Sequence, residues 1–230
     1  MAEKTKDNLL TSLLLVFPLL LFYEVGVRFT DRLNGADFLT ITLLRLVGSE
    51  GYFYVQAALV VAYLGLVLYM RRRHEFNIRQ FVPVMLESGV YALTMGTLII
   101  FVMVDLLQID PRLGAGSSAG IFERLVMSVG AGVHEEIVFR LLLLTGLTLL
   151  GDKVLGLRGW LALGLAFVVS SLLFSAAHHV GPLGEELRLG VFVFRFLAGL
   201  VFAALYQYRG FAIAVYTHTL YDIYVLMLRG

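Results

Sequence analysis

The feature that most constrains this chain is a succession of apolar runs, each long enough to cross a membrane, near residues 8–29, 52–70, 82–108, 121–150, 159–178, 190–207 and 211–229. A helix rises about 1.5 Å per residue, so roughly 20 apolar residues cover a hydrocarbon core of about 30 Å. The expected fold is therefore all-α, a polytopic membrane helix bundle of about seven to eight transmembrane helices, with the lipid bilayer as its main solvent. Composition agrees: 59% hydrophobic and 15% charged residues stand well away from the roughly 45–50% and 25% of soluble domains. The run Phe38 to Val47 is too short to cross upright and carries Arg45. It reads as an interfacial or re-entrant segment, with an eighth helix as the alternative. Breakers fall between the runs: Pro111, Gly114 and Gly116, then Gly151 and Gly156, then Gly181, Pro182 and Gly184, then Gly210. The loops are too short for a second domain, so residues 1–230 are expected to form a single integral membrane domain.

Charge narrows the partners. The formal net charge is +1 and the one basic block is Arg71, Arg72 and Arg73, which gives no footprint for nucleic acid. The absence of Cys excludes disulfides, thiolate metal sites and a cysteine nucleophile. Lys4 and Lys6 precede the run from Leu9 to Phe22, but no small-residue cleavage site follows, so this run is read as a retained first helix. Arg71, Arg72, Arg73 and Arg79 mark the loop after the second span as cytoplasmic. Seven spans then put the N-terminus in the cytoplasm and Lys153, Arg158 and Arg209 on the same side, against Arg28, Arg32, Arg112 and Arg188 on the other. The run 121–150 would be about 45 Å long as one helix, more than the core requires, and Gly130 and Gly132 are its expected bend points.

Just after those glycines comes Gly132-Val133-His134-Glu135-Glu136-Ile137-Val138-Phe139-Arg140, with four ionisable side chains inside an apolar run. Each costs at least about 2.5–3.5 kcal/mol at the bilayer centre unless a partner or water compensates it. Glu136 and Arg140 are an i, i+4 pair with the acid on the N-terminal side, the spacing of an ion pair on one face. Glu135 lies about 100° around the helix and is left to act elsewhere. Two more clusters sit in other runs: Phe174-Ser175-Ala176-Ala177-His178, with His179 adjacent, and His218-Thr219-Leu220-Tyr221-Asp222. A carboxylate and two imidazoles from separate helices can meet only in a bundle interior, where they would supply a base for a water and donors for an oxyanion.

The plainer readings differ by residue. Glu136 with Arg140 is first a structural ion pair, because buried pairs fix register. His218 with Asp222 taken alone is as readily an i, i+4 hydrogen bond, and Phe174 taken alone is core packing. His134 and His179 are placed beside the site or at its mouth. Arg195, mid-run, is expected to pair structurally with an acid such as Glu24, Glu87, Asp105 or Glu123. Other catalytic signatures fail: the zincin pattern begun by His134-Glu135 would need His at position 138, which is Val138. Gly116-Ser117-Ser118-Ala119-Gly120 is not a rhomboid serine motif. Tyr221-Asp222 has no second aspartate motif to complete a presenilin-type pair.

The three clusters, in order, resemble the motif set of the CAAX-protease and bacteriocin-processing (CPBP) family, membrane peptidases related to the eukaryotic Ras-converting enzyme. The pattern Glu-Glu-x-x-x-Arg, Phe-x-x-x-His and His-x-x-x-Asn or Asp reads here as Glu135-Glu136 to Arg140, Phe174 to His178, and His218 to Asp222. The resemblance covers about 121–225. It implies a glutamate-dependent intramembrane endopeptidase in which Glu135 and His178 activate water, and His218 and residue 222 bind the oxyanion. Glu136 and Arg140, with Phe174, would organise the site. Asn is commoner at the last position. An ionised Asp222 would repel an oxyanion, so Asp222 either stays protonated or orients His218; the second is the expectation. No metal cofactor is expected, zinc at Glu135, His178 and His218 being the alternative.

The expected partner is a membrane-anchored protein or peptide substrate, with C-terminal processing or cleavage of a sorting signal as its most natural fate. His178 lies toward the outer end of its run under the charge-derived topology, which favours an exported substrate over a prenylated cytosolic one. Short loops and the lack of eukaryotic sorting signals point to a prokaryotic cytoplasmic membrane. Two rival classes remain: a transporter, whose proton relays also use buried His, Glu and Arg, and a non-catalytic immunity or scaffold protein of the same fold.

Overall fold

A computed structural model of the chain describes residues 9–30, 38–73, 76–110, 120–180 and 186–229. Lys4, Lys6, Arg32, Arg112, Pro111, Gly114, Gly116, Ser117, Gly181, Pro182 and Gly184, used above, lie outside the described residues.

Seven helices follow one another, and no strand occurs among the described residues. Helix α1 is Leu9–Gly26, prolonged by a 3₁₀ turn Val27–Phe29; α2 is Phe38–Arg72; α3 is Phe81–Phe101, entered through a 3₁₀ turn Ile78–Gln80 and extended by π turns over Val102–Leu106. Helix α4 begins as Ile121–Glu136 and runs on through π turns at Ile137–Leu144, a short α stretch Thr145–Leu149 and further π turns at Leu150–Val154. Helices α5, α6 and α7 are Gly159–Ala177, Leu189–Arg209 and Phe211–Arg229. Five of the seven are long and apolar enough to cross a membrane: α1 with its extension, α2 from Thr42, α3 with both its flanking turns, α5 and α6. The chain is an all-α polytopic helix bundle. Helices α4 and α7 carry two of the ionisable motifs, and the third, Phe174 to His178, closes α5.

The segment 38–47 is not an eighth span. It is the first part of α2, separated from the rest by a kink at Gly48, where φ is +70° and ψ is 176°. Only glycine takes that conformation cheaply, because a Cβ would collide with the backbone. Arg45 and Gly48 end the hydropathy signal there, while the local helix persists on both sides of the break. A second left-handed glycine, Gly210 with φ 97° and ψ 171°, closes α6 and lets α7 start at the next residue.

Gly130 and Gly132 are not bend points either. Both lie within the regular α-helical part of α4, and their role is close approach. A Cβ on Gly130 would fall 2.3 Å from the Tyr23 ring of α1, and one on Gly132 2.0 Å from Thr219 Oγ1 of α7. The departure from α geometry comes one turn later, in the π turns that start at Ile137.

Helices α4 and α7 form the centre. Val126, Val129 and Val133 of α4 pack with Tyr23 of α1 and with the unbroken buried stretch Phe211–Tyr216 of α7 in one apolar core. Outward, Tyr54 and Val61 of α2, Leu86 and Val90 of α3, and Trp160 of α5 are exposed, as a lipid-facing surface requires. Polar pins join the helices at their ends. Glu24 of α1 accepts hydrogen bonds from Tyr52 and from Gln56 Nε2 of α2, and Arg28 Nη2 donates to Gln56 Oε1 at 2.6 Å. Near the opposite end, Arg209 Nη2 donates to Glu87 Oε2 at 2.8 Å.

Candidate active site

The site grows from two consecutive glutamates that α4 points in different directions. Glu136 turns inward and is fully buried, with Arg140 Nη1 at 3.1 Å one turn along the same helix. His218 Nδ1 of α7 donates to its Oε1 at 2.8 Å. Arg140, also buried, spends Nη2 on the Gly199 carbonyl of α6 at 3.2 Å. Its guanidinium lies over the Phe174 ring at 4.4 Å and near Phe202 at 5.4 Å, contacts in which the ring face attracts the cation. Phe202 stacks on the His218 imidazole at 4.3 Å and 16°. Phe174 meets Phe139, His178 and His218 edge to face. Phe174 is thus core packing and the shared wall of both imidazoles at once.

Glu135 faces the other way. His178 Nε2, just beyond the end of α5, is 3.5 Å from its Oε2, and His218 Nε2 is 3.9 Å from the same oxygen. Asp222 Oδ2 lies 3.7 Å from His218 Nε2. The sequence-derived residues from three helices are therefore brought together. The ring nitrogens can be assigned from their partners. His178 Nδ1 faces the Phe174 carbonyl at 2.8 Å, so Nδ1 carries a hydrogen, and the Nε2 of neutral His178 presents a lone pair beside Glu135. His218 spends its Nδ1 hydrogen on Glu136, so it offers an N–H from Nε2 only as imidazolium. A carboxylate and an imidazole lone pair 3.5 Å apart are suited to sharing a water proton between them.

Residues 117–224 match the sequence model of a family described as Rce1-like, type II CAAX prenyl endopeptidase. The match covers 108 of the 230 residues, just under half of the chain. No curated protein and no solved structure matches it. The match spans α4 to α7 and includes Glu135, Glu136, Arg140, Phe174, His178, His218 and Asp222. Together with the five apolar helices it makes the chain an integral membrane protein of a CAAX-type endopeptidase class.

Within this Rce1-like site, several side chains sit differently from the sequence expectation. The group that orients His218 is Glu136 on Nδ1, whereas Asp222 stands on the Nε2 side. An i, i+4 spacing reveals which residues share a helix face, and nothing in it reveals the acid that crosses from another helix. His134 belongs to the contact between α1 and α4: its Nδ1 bonds the Gly130 carbonyl at 3.0 Å and its ring packs edge-on against Tyr23. His179 stacks on Phe192 at the junction of α5 and α6. Glu87 is held by Arg209 and Glu24 by Tyr52 and Gln56. Phe202 is the residue that sequence reading missed, and Arg195 is singled out there without a link to the stripe they share. A heptad-like stripe on α6 would have linked them, since Phe192, Arg195, Gly199, Phe202 and Tyr206 recur at steps of three and four. Among the described residues, no three His, Cys, Asp or Glu side chains are grouped closely enough to hold a metal ion.

Proposed function

We propose that this Rce1-like chain is a glutamate-dependent intramembrane endopeptidase that cleaves a membrane-anchored protein by direct attack of water. The observation that carries the reading is the meeting of His178 Nε2 and His218 Nε2 at one oxygen of Glu135, from three different helices, in the interior of the bundle. Glu135 and His178 take a proton from the attacking water as its oxygen bonds the scissile carbonyl carbon. The carbonyl electron pair moves onto oxygen, where the Nε2–H of His218 as imidazolium receives it. Collapse breaks the C–N bond, and the proton held by Glu135 and His178 passes to the leaving amine. Glu136 and Arg140 hold His218 and the α4–α6 contact in place. The reaction runs without a metal; stoichiometric zinc in purified active protein would overturn that part.

The family's description names a prenylated CAAX substrate. For this chain the topology favours another. Arg71, Arg72 and Arg73 at the end of α2, Arg158 before α5 and Arg209 at the end of α6 would share the cytoplasmic side. His178, at the far end of α5, then opens the site to the extracytoplasmic side. An exported, membrane-anchored protein processed near its C-terminus fits that geometry, in a prokaryotic cytoplasmic membrane with the N-terminus inside.

Terminal proteomics of membranes carrying the wild type or Glu135→Ala tests both the activity and the substrate. New C- and N-termini that vanish in the variant, at equal expression, support the peptidase. Identical termini with altered solute or ion flux would establish a transporter in its place, and no change of either kind would establish a scaffold. A reporter fused at Pro182 that is active only outside the cytoplasm supports the outward-opening site.

A further inference from the structure

A cavity of about 350 Å³ lies where the start of α1, the later part of α4, the end of α6 and the first residue of α7 meet. That is the low end of the roughly 300–1,000 Å³ of small-molecule sites. Thr145 in its wall follows Glu135 by ten residues, which places the cavity on the order of 10–15 Å along α4 from the Glu135–His178 contact. Leu9 and Leu149 on its rim are about half exposed, and Tyr208 is 71% exposed. Arg209 follows Tyr208 directly and Lys153 follows Leu149 by four residues. An apolar and aromatic rim with cations just beyond it marks the level at which a span reaches the aqueous face, the depth of the ester groups of the lipid.

The hydroxyls of the wall divide by what their hydrogens do. Thr148 Oγ1 donates to the Leu144 carbonyl at 2.8 Å, and Thr145 Oγ1 to the Arg140 carbonyl at 3.2 Å. Tyr206, whose oxygen is 2.8 Å from Thr145 Oγ1, is then the donor of that pair. Ser12 differs: it is 1% exposed, and its Oγ has no hydrogen-bond partner among the described residues. A buried hydroxyl left in this way costs free energy and keeps a hydrogen to give. Among the described residues no Asp, Glu, Lys, Arg or His lines the cavity, and the neighbouring Arg209 is engaged by Glu87 of α3. The complementary group is a neutral acceptor on an apolar chain. A phosphate would meet no cation there, a bare hydrocarbon would leave Ser12 unsatisfied, and water would gain nothing from Leu9, Leu144 and Phe211.

We propose that this cavity binds one acyl chain of a glycerophospholipid, with the ester carbonyl accepting from Ser12 Oγ and the methylenes lying on Leu144 and Phe211. None of Glu135, His178, His218 and Asp222 takes part, so the site stands whether or not the peptidase reading does.

The test is photolabelling of the full-length protein in dodecyl maltoside with a phosphatidylethanolamine that carries a diazirine in one acyl chain, mapped by peptide mass spectrometry. Label should fall on Leu144–Leu149 or Tyr206–Phe211. Unlabelled diester phosphatidylethanolamine should compete about tenfold better than its diether analogue, which lacks the carbonyls, as for one hydrogen bond to a buried group. Phosphatidylglycerol should compete as well as phosphatidylethanolamine, because no charge lines the wall. Ser12→Ala should bring the diester down to the level of the diether, while the Tm of the lipid-free protein stays the same or rises with the loss of an unsatisfied hydroxyl. Thr148→Phe, which fills the cavity, should abolish the label there. Equal competition by diester and diether in the wild type, or label confined to the outward faces of α2 and α3, would overturn the proposal. Farnesol displacing the probe as well as the diester does would also overturn it, in favour of a prenyl chain.

Discussion

Helices α2 and α7 both read as apolar runs, yet they meet opposite surroundings. In α2, Tyr54 is 71% exposed and Val61 70%, side chains turned outward as lipid demands. In α7, Ala212, Ala214 and Val215 are fully buried, and the same helix carries His218 and Asp222. Helix α2 from Thr42 is long and apolar enough to cross a membrane and only 11% of its most apolar stretch is buried, whereas the first half of α7 is enclosed by its neighbours. Lipid is at least as apolar as a protein core, so hydropathy alone does not separate the two positions, and it is the ionisable side chains of α7 that must be covered by other helices. Central position in this bundle goes with small residues, close backbones and paired charges.

That contrast can be broken experimentally. The largest effect belongs to Glu135: Glu135→Gln should reduce cleavage by about 10²–10⁴-fold, the range for loss of a general base, with Tm little changed. A variant that cleaves normally would reduce the central charge cluster to scaffolding. Next comes the buried ion pair. Arg140→Ala leaves Glu136 uncompensated and should destabilise by about 3–5 kcal/mol, read as thermal unfolding in detergent. The Glu136→Gln/Arg140→Met double substitution should be markedly milder, and equal losses would mean the pair is not coupled.

Gly132→Ala should cost about 1–3 kcal/mol, because its Cβ would meet Thr219 and force α4 and α7 apart. Pairing it with Thr219→Ala should recover part of the loss. Smallest of all, Val61→Ala on α2 should stay within about 0.5 kcal/mol, as expected where a side chain leaves lipid contact and no packed neighbour. A Val61→Ala loss comparable with Gly132→Ala would place α2 in an interface and erase the contrast between the two helices.

The fold class and the helix faces that carry the ionisable residues were legible in the sequence for one shared reason: both are written within single helices. Apolar length gives the spans, and the spacing of Glu136 with Arg140 or of His218 with Asp222 gives a face. Relations between helices are not written this way. That Glu136 reaches across to His218 Nδ1 and that Phe202 lies flat on the same ring both depend on the rotation of the helices about their axes. The sequence order of the motifs does not contain that rotation. Gly130 and Gly132 were legible as special positions but were assigned to bending, since a glycine in a long helix signals a break and a close contact alike. The kink at Gly48 was not legible, because hydropathy reports apolar length and not backbone conformation.

The π turns of α4 have an evolutionary reading. An i→i+5 hydrogen bond takes one more residue than an α turn, which is the trace an inserted residue leaves when the flanking helix keeps its contacts. Between Ile137 and Leu144 this surplus separates two registers. The glutamates and glycines before it are tuned to α1 and α7. Thr145 after it is tuned to Tyr206 of α6, and its hydroxyl also caps the Arg140 carbonyl at 3.2 Å. A descendant could therefore lose a residue from this stretch and still make a helix, but every later side chain would turn by about 100° relative to Glu135. The stretch is thus a length-sensitive joint inside the motif, intolerant of deletion.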